Sequence, residues 1–453
     1  MKIIVSGCGK IGTAIISTLI AEGHDVTALD TSDKVINEIA NIYDAIGVCG
    51  NATDCEVLTE ASVEDADLFI AVTGSDELNM LSCFLAKRMG AAHTIARIRN
   101  PEYNDRSLGF MKQELNISMA INPEHLMAQE LYNILKLPSA FKVEYFARRN
   151  LEMIELRLKE DSPLCGKKLS KLREKQNTDF LIGVISRQGR VIIPDGQMEL
   201  LAGDIVSIAA APSDMQKILK SFGILKKQSR NIMILGGSKT AYYLAKQLLS
   251  SGNDVRIVEK DLEKCEKLSE TLPDAVMIHG DGSQQELLLE EGLRSLDAFV
   301  SLTGMDEENI LISYFASSHN VPQVISKINR NEMVLMAEKL GLDCIVSTKS
   351  VTSDIVLRYT RALENSLGSS IETLYKIMDG KAEAIEFKVG ADSPVTDIPI
   401  KDLPIKSGIL IAGIIRPGKK AVIPTGDDII KDGDRVIVLS SQHRLSALRD
   451  IIR

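Results

Sequence analysis

No apolar run in the sequence approaches the length of a membrane helix. The longest, at residues 408–415 and 205–211, fall far short of the roughly 20 residues that cross a bilayer, which argues against a transmembrane segment. The first five residues (MKIIV) run as a strand into a glycine loop, without the n-region, apolar stretch and cleavage site of a signal peptide. A cytoplasmic location is therefore expected. The seven cysteines (8, 49, 55, 83, 165, 265 and 344) are scattered, and none forms a CxxC pair. An odd, unpatterned set fits neither a disulfide framework nor a zinc site, so reduced thiols are expected. A net charge of -9 opposes sequence-independent binding to nucleic acid, which needs a concentrated basic surface.

Catalytic constellations are missing as well. The six histidines (24, 93, 125, 279, 319 and 443) fall singly on loops and helix edges, and there is no HxxxH, Ser-His-Asp or Walker A arrangement. A dehydrogenase needs a proton donor or acceptor held near its nicotinamide. Without one the sequence argues against an enzyme, leaving an NAD-dependent oxidoreductase as the alternative. A nucleotide-sensing transcription regulator is a third possibility, opposed by the charge and by the lack of an evident helix-turn-helix.

What is present is a duplication. Residues 2–12 (KIIVSGCGKIG) match 231–241 (NIMILGGSKTA), and 67–77 (DLFIAVTGSDE) match 297–307 (DAFVSLTGMDE) in register. A second shared block follows each of these, residues 155–163 (ELRLKEDSP) answering 386–394 (EFKVGADSP). In the larger units short β-branched runs alternate with helical patterns, which implies βαβ units and parallel sheets. The expected fold is α/β: two Rossmann-like doubly wound domains at 1–139 and 229–369, each followed by a small α+β module, at 140–226 and 370–453. The modules show hairpin punctuation at 187–190 and 416–419 and Gly-Asp turns at Gly203 and Gly433. At about 80 residues such a module has a modest core, and pairing with another copy is expected. Amphipathic helices join the units. Leu126, Met127, Leu131, Ile134 and Leu135 share one face, as do Val351, Ile355, Val356, Tyr359 and Leu363. Such a face packs either on its own domain or on another subunit.

The glycine loop carries the chemistry. Gly7 follows a strand and permits a sharp turn, Gly9 allows backbone approach to a pyrophosphate, and Gly12 lets the following helix, 10–21, pack close to the sheet. The helix N-terminus then presents free N–H groups to an anion. Asp30 ends the second strand 18 residues after Gly12, where a carboxylate can accept hydrogen bonds from both ribose hydroxyls and repel a 2'-phosphate. This pattern points to NAD or NADH; ATP and ADP satisfy the same loop. Asn51 follows the third strand and Thr73 and Gly74 the fourth, positions that flank adenine and the second ribose, while Arg97 in the fifth can neutralise phosphate. Cys8, inside the loop, is either a redox-sensitive thiol or a small residue that fits the turn. The acid pairs at 76–77 and 307–308 suit helix N-termini. In the second half the loop is degraded. Gly236 and Lys239 remain, but Ser238 stands for Gly9 and Ala241 for Gly12, while Glu259, Asp281 and Lys327 answer Asp30, Asn51 and Arg97. That cleft either binds nucleotide more weakly or is a structural relic.

The order of nucleotide fold, small module, nucleotide fold, small module resembles, over essentially the whole chain, the tandem regulator-of-potassium-conductance (RCK) family of Trk-type potassium uptake systems. The resemblance implies a non-enzymatic regulatory subunit, peripheral on the inner face of the cell membrane. It also implies a homo-oligomeric ring of RCK domains beneath a separate, TrkH-like membrane potassium transporter subunit. The family's nucleotide contacts would fall on Gly7, Cys8, Gly9, Lys10, Ile11, Asp30, Asn51, Thr73, Gly74 and Arg97. The family often has Asp where this chain has Asn51.

Overall fold

The computed structural model describes residues 1–101, 103, 105–147, 149–174, 179–365, 371–378, 380–391, 393–441 and 445–453. In the first half, the runs β1 (Lys2–Ser6), β2 (Asp25–Asp30), β3 (Ile46–Cys49), β4 (Leu68–Ala71), β5 (His93–Arg97) and β6 (Met119–Ile121) form a parallel sheet in the order β3-β2-β1-β4-β5-β6. The central strands carry continuous apolar runs, Ile3–Val5 in β1 and all of β4, because helices cover both faces, and every residue of β4 is buried. The order reverses between β1 and β4, which opens a crevice at their carboxyl ends. Strands Asn231–Leu235, Asp254–Glu259, Val276–His279, Ala298–Ser301, Gln323–Lys327 and Cys344–Val346 repeat the same six-stranded topology in the second half.

Each small module is a five-stranded antiparallel sheet, and the two share one strand order. The turn joining Phe180–Arg187 to Arg190–Ile192 has Gln188 and Gly189 both at positive φ, 51° and 78°, the two-residue geometry that matches strand twist. The expected pairing of modules occurs within the chain. Phe146, Leu151, Met153 and Val184 of the first pack against Ile377, Ala384, Ile437 and Leu439 of the second in one buried cluster. Reciprocal hydrogen bonds lock this contact. The Ala147 N–H donates to Glu386 Oε2 at 2.9 Å, and the Met378 N–H donates to Glu155 Oε1 at 3.1 Å. Both carboxylates are buried, so each satisfies a backbone donor that would otherwise be stranded.

The connecting helices resolve the open question of their apolar faces. Helix Pro123–Lys136, capped by Asn122 through the His125 N–H, buries Met127, Leu131 and Ile134 not on its own sheet but against Ile232, Ile234, Leu244 and Leu248 of the second Rossmann domain. Helix Thr348–Asn365 reciprocates, setting Val356, Ile355 and Tyr359 against Ile3, Val5, Ile15 and Leu19 of the first. The two Rossmann domains thus exchange helices within one chain. Arg361, on the second crossover helix, is buried between Glu22 of the first Rossmann domain (2.5 Å) and Glu383 of the second module (2.8 Å). This ion cluster fastens three units together.

Candidate functional site

The crevice at the β1/β4 switch point is a cavity of about 720 Å³, within the usual range for small-molecule sites. Gly7 has φ +89° and a Cβ there would lie 2.7 Å from Thr73 N, while a Cβ on Gly12 would strike the Gly7 carbonyl. Both positions therefore demand glycine. A Cβ on Gly9 or Gly74 would meet nothing within 4 Å, because these two glycines face the open cleft. Helix Lys10–Ala21 begins at Gly9 with no side-chain cap, leaving its first N–H groups directed at the cavity.

The Asp30 carboxylate accepts the Cys8 N–H on Oδ2 (2.7 Å) and the Ser32 N–H on Oδ1 (3.0 Å). Each oxygen keeps a second lone pair for a ligand hydroxyl. Asn51 Oδ1 accepts the Thr53 N–H and hydroxyl, both at 3.0 Å, forming the turn after β3. Thr73 donates its N–H (2.8 Å) and hydroxyl (2.7 Å) to Asn79 Oδ1, and Asn79 Nδ2 donates to Arg97 O. Arg97 lines the cavity and pairs with Glu124 at 3.1 Å. Burial pulls its pKa below the usual guanidinium range against the pull of Glu124, and its Nε is buried without a hydrogen-bond partner. Lys10 and Ile11 complete the loop side.

The acid pairs stand where expected, in the first turns of helices Asp76–Met89 and Asp306–Ser318. Asp76 Oδ2 also accepts the Arg99 and Asn100 N–H groups, at 2.8 Å each. Among the histidines, His93 and His279 occupy strand ends rather than loops, and His443 lies outside the described residues. The Cys8 thiol is buried, and desolvation, reinforced by the Asp30 carboxylate, pushes its pKa up to about 12. A protonated thiol is a poor nucleophile, so of its two readings the small turn residue prevails. Maleimide at neutral pH should label the exposed Cys49 and Cys55 within minutes and leave Cys8, Cys83 and Cys344 unreacted until the chain is denatured; mass spectrometry of the labelled peptides checks this.

The second crevice keeps the frame. Glu259 accepts the Gly237 N–H (2.6 Å) and the Asp261 N–H (2.9 Å), as Asp30 does its own pair, and Asp281 Oδ1 accepts the Ser283 N–H (2.9 Å) as Asn51 does that of Thr53. Two differences set it apart from the first. Ser238 caps its own helix through the Ala241 N–H at 3.3 Å, and Tyr243 stands where the first half has Ala14. The Tyr243 hydroxyl accepts from Asn122 Nδ2 (3.0 Å) and donates to Arg99 O (3.3 Å). Lys239 is exposed, and Lys327 directs its ammonium to Leu302 O.

A buried residue behind the site and a group of lining residues escaped the sequence. Asn79 is fully buried and lies just past the repeated segment; its recurrence as Asn309, which fastens Thr303 identically, was the available signal. Asn329, Thr348 and Lys349 come from the second Rossmann half and line the first cavity, a placement no local pattern marks.

Two family models match the sequence: the TrkA-N domain at residues 3–123 and 232–348, and the TrkA-C domain at 153–223 and 384–453. The sequence is 33% identical, over 100% of both chains, to the Trk system potassium uptake protein TrkA homolog of Archaeoglobus fulgidus. It is 32% identical to the Trk system potassium uptake protein TrkA of Vibrio alginolyticus, over 97% of this chain and 95% of that one. Among solved structures, the GsuK channel bound to NAD is similar in fold, with a TM-score of 0.64 at 18% identity, covering 97% of this chain and 76% of that one.

Proposed function

The chain belongs to the TrkA family of Trk-system potassium uptake proteins, and from that premise we propose that it is a regulatory subunit whose first cleft binds NAD or NADH and thereby sets the activity of a separate, TrkH-like membrane potassium transporter. It is a regulator and not an enzyme. The observation that carries the reading is the first cleft itself: an uncapped helix N-terminus, two glycines facing open space and a carboxylate with both oxygens positioned at the end of β2. Gly7, Gly9, Lys10 and Ile11 would cradle the pyrophosphate, Asp30 the adenosine ribose, Asn51 the adenine side, and Thr73 and Gly74 the second ribose. The unpartnered Nε of Arg97 is a donor that a phosphate would satisfy. ATP and ADP share the adenosine ribose and phosphates and are the competing ligands. The second cleft, where Ser238 caps the helix and Tyr243 replaces Ala14, holds no nucleotide in this reading.

Because both halves line the first cleft, a ligand there has different affinity for different arrangements of the halves. That is the condition for a population shift. No helix among the described residues is long and apolar enough to cross a membrane; in this reading the shift reaches the transporter through contact at the inner membrane face.

Assembly into a ring has its own support. Leu311 and Tyr314 on one helix and Leu335 and Met336 on the next are exposed, as are Leu81 and Phe110 on the corresponding helices of the first half. Repeated apolar faces of this kind mark interaction surfaces. The double variant Leu311→Asp, Leu335→Asp should run in multi-angle light scattering at a lower oligomeric mass than the wild type, because a charge on such a face opposes its burial.

The function is tested by calorimetric titration of the full chain with NADH, NAD, ATP and ADP, combined with potassium uptake in cells carrying and lacking the chain. Dinucleotide binding together with uptake that changes on deletion is the expected result. Absence of nucleotide binding, or uptake indifferent to deletion, would sink the reading.

A further inference from the structure

The sheet registers relate the two clefts residue by residue. Arg97 pairs with Ile121 across the last two strands of the first sheet, and Lys327 pairs with Val346 in the second. Three positions beyond those strand ends stand Glu124 and Lys349, each on the first turn of a crossover helix. The halves that are otherwise duplicates carry opposite charges at this position. Because the crossover helices are exchanged, Lys349 does not serve its own half: it lines the first cavity together with Gly9, Lys10, Thr73 and Gly74. It is half-buried, and among the described residues it has no ion-pair partner. Glu124 is paired with Arg97, and Lys327 at the related position of the second half is half-buried within electrostatic reach of Asp306, Glu124 and Lys10. Lys10, Arg97 and Lys349 therefore line the same cavity, and among the described residues only Arg97 of the three has an ion-pair partner, which leaves two ammonium groups for a bound anion.

Resting on the reading that the first cleft takes a nucleotide, we propose that Lys349 is a phosphate-binding residue donated to that cleft by the second half, and that the inversion to Glu124 at the related position, with Tyr243, confines anionic nucleotides to the first cleft. A nucleotide then touches the glycine loop of one half and the ammonium of the other, so its phosphates bridge the two Rossmann domains. Adenosine, which lacks phosphate, reaches Asp30 but makes no such bridge.

The test uses the full chain, titrated calorimetrically with ADP and with adenosine in the wild type, Lys349→Gln, Lys349→Arg and Asp30→Ala. Loss of one charge-assisted contact should weaken ADP about tenfold in Lys349→Gln, with Lys349→Arg close to wild type and adenosine unchanged in both. Asp30→Ala should weaken both ligands. The ADP stoichiometry of the wild type should be one per chain. ADP affinity unchanged in Lys349→Gln while Asp30→Ala loses it would overturn the assignment of Lys349 and leave the cleft intact as a nucleotide site. Equal weakening of adenosine and ADP in Lys349→Gln would assign the residue a structural role and also overturn it. Two ADP per chain would overturn the confinement to the first cleft. A wild type that binds neither ligand would remove both this inference and the nucleotide reading beneath it.

Discussion

Asp30→Ala is expected to weaken NADH binding by about a hundredfold, the low end for losing two hydrogen bonds to a charged acceptor. The carboxylate holds the Cys8 and Ser32 N–H groups, so its removal withdraws the acceptor for two ribose hydroxyls and also loosens the start of the phosphate loop. Asp30→Asn separates these contributions: one amide oxygen can still accept the Cys8 N–H, while the charge and the second acceptor are lost. NADPH should gain relative to NADH in both variants, since the repulsion of a 2'-phosphate is gone. Calorimetry with a thermal melt of each variant as a control for folding is the measurement. NADH affinity unchanged in a folded Asp30→Ala chain would exclude Asp30 as the ribose ligand.

Leu131→Ala should produce the second large effect, a loss of about 2–5 kcal/mol for truncating a fully buried leucine, felt in the opposite half of the molecule. Leu131 is 0% exposed and sits among Ile232, Leu244 and Leu248. Hydrogen exchange should therefore speed up in strands Asn231–Leu235 and Asp254–Glu259 and remain slow in β1 and β2. The reciprocal variant Val356→Ala should loosen β1 and β2 instead, by a smaller amount because fewer methyl groups are lost. Faster exchange confined to the half that contains the mutated residue would show that the helices pack at home.

These two variants probe different kinds of information. Asp30 was legible in the sequence because the features around it are local: a glycine at φ +89° on a strand end, an uncapped helix start and an acid at the end of the next strand all depend on neighbours a few residues apart or on one βαβ unit. Leu131 was legible only as apolar. A helical stripe states that a face is buried and is silent on what covers it. The same limit applied to the small modules, whose pairing was expected but not that it would occur within the chain, and to Cys8, whose two readings separated only when burial and the adjacent carboxylate were visible.

The duplication, the two doubly wound sheets, the small α+β modules with their hairpins and the first glycine loop with Asp30 were legible in the residues alone, since hydrophobic period, turn chemistry and the demand for glycine at positive φ act over short spans of chain. Packing alone settled that the crossover helices are exchanged, that Tyr243 bonds to Asn122 and Arg99 of the other half, and that Lys349 of one half lines the cavity of the other's glycine loop. Those outcomes depend on which complementary surfaces meet, and complementarity between surfaces about 100 residues or more apart along the chain is a property of packing in three dimensions that no periodicity records.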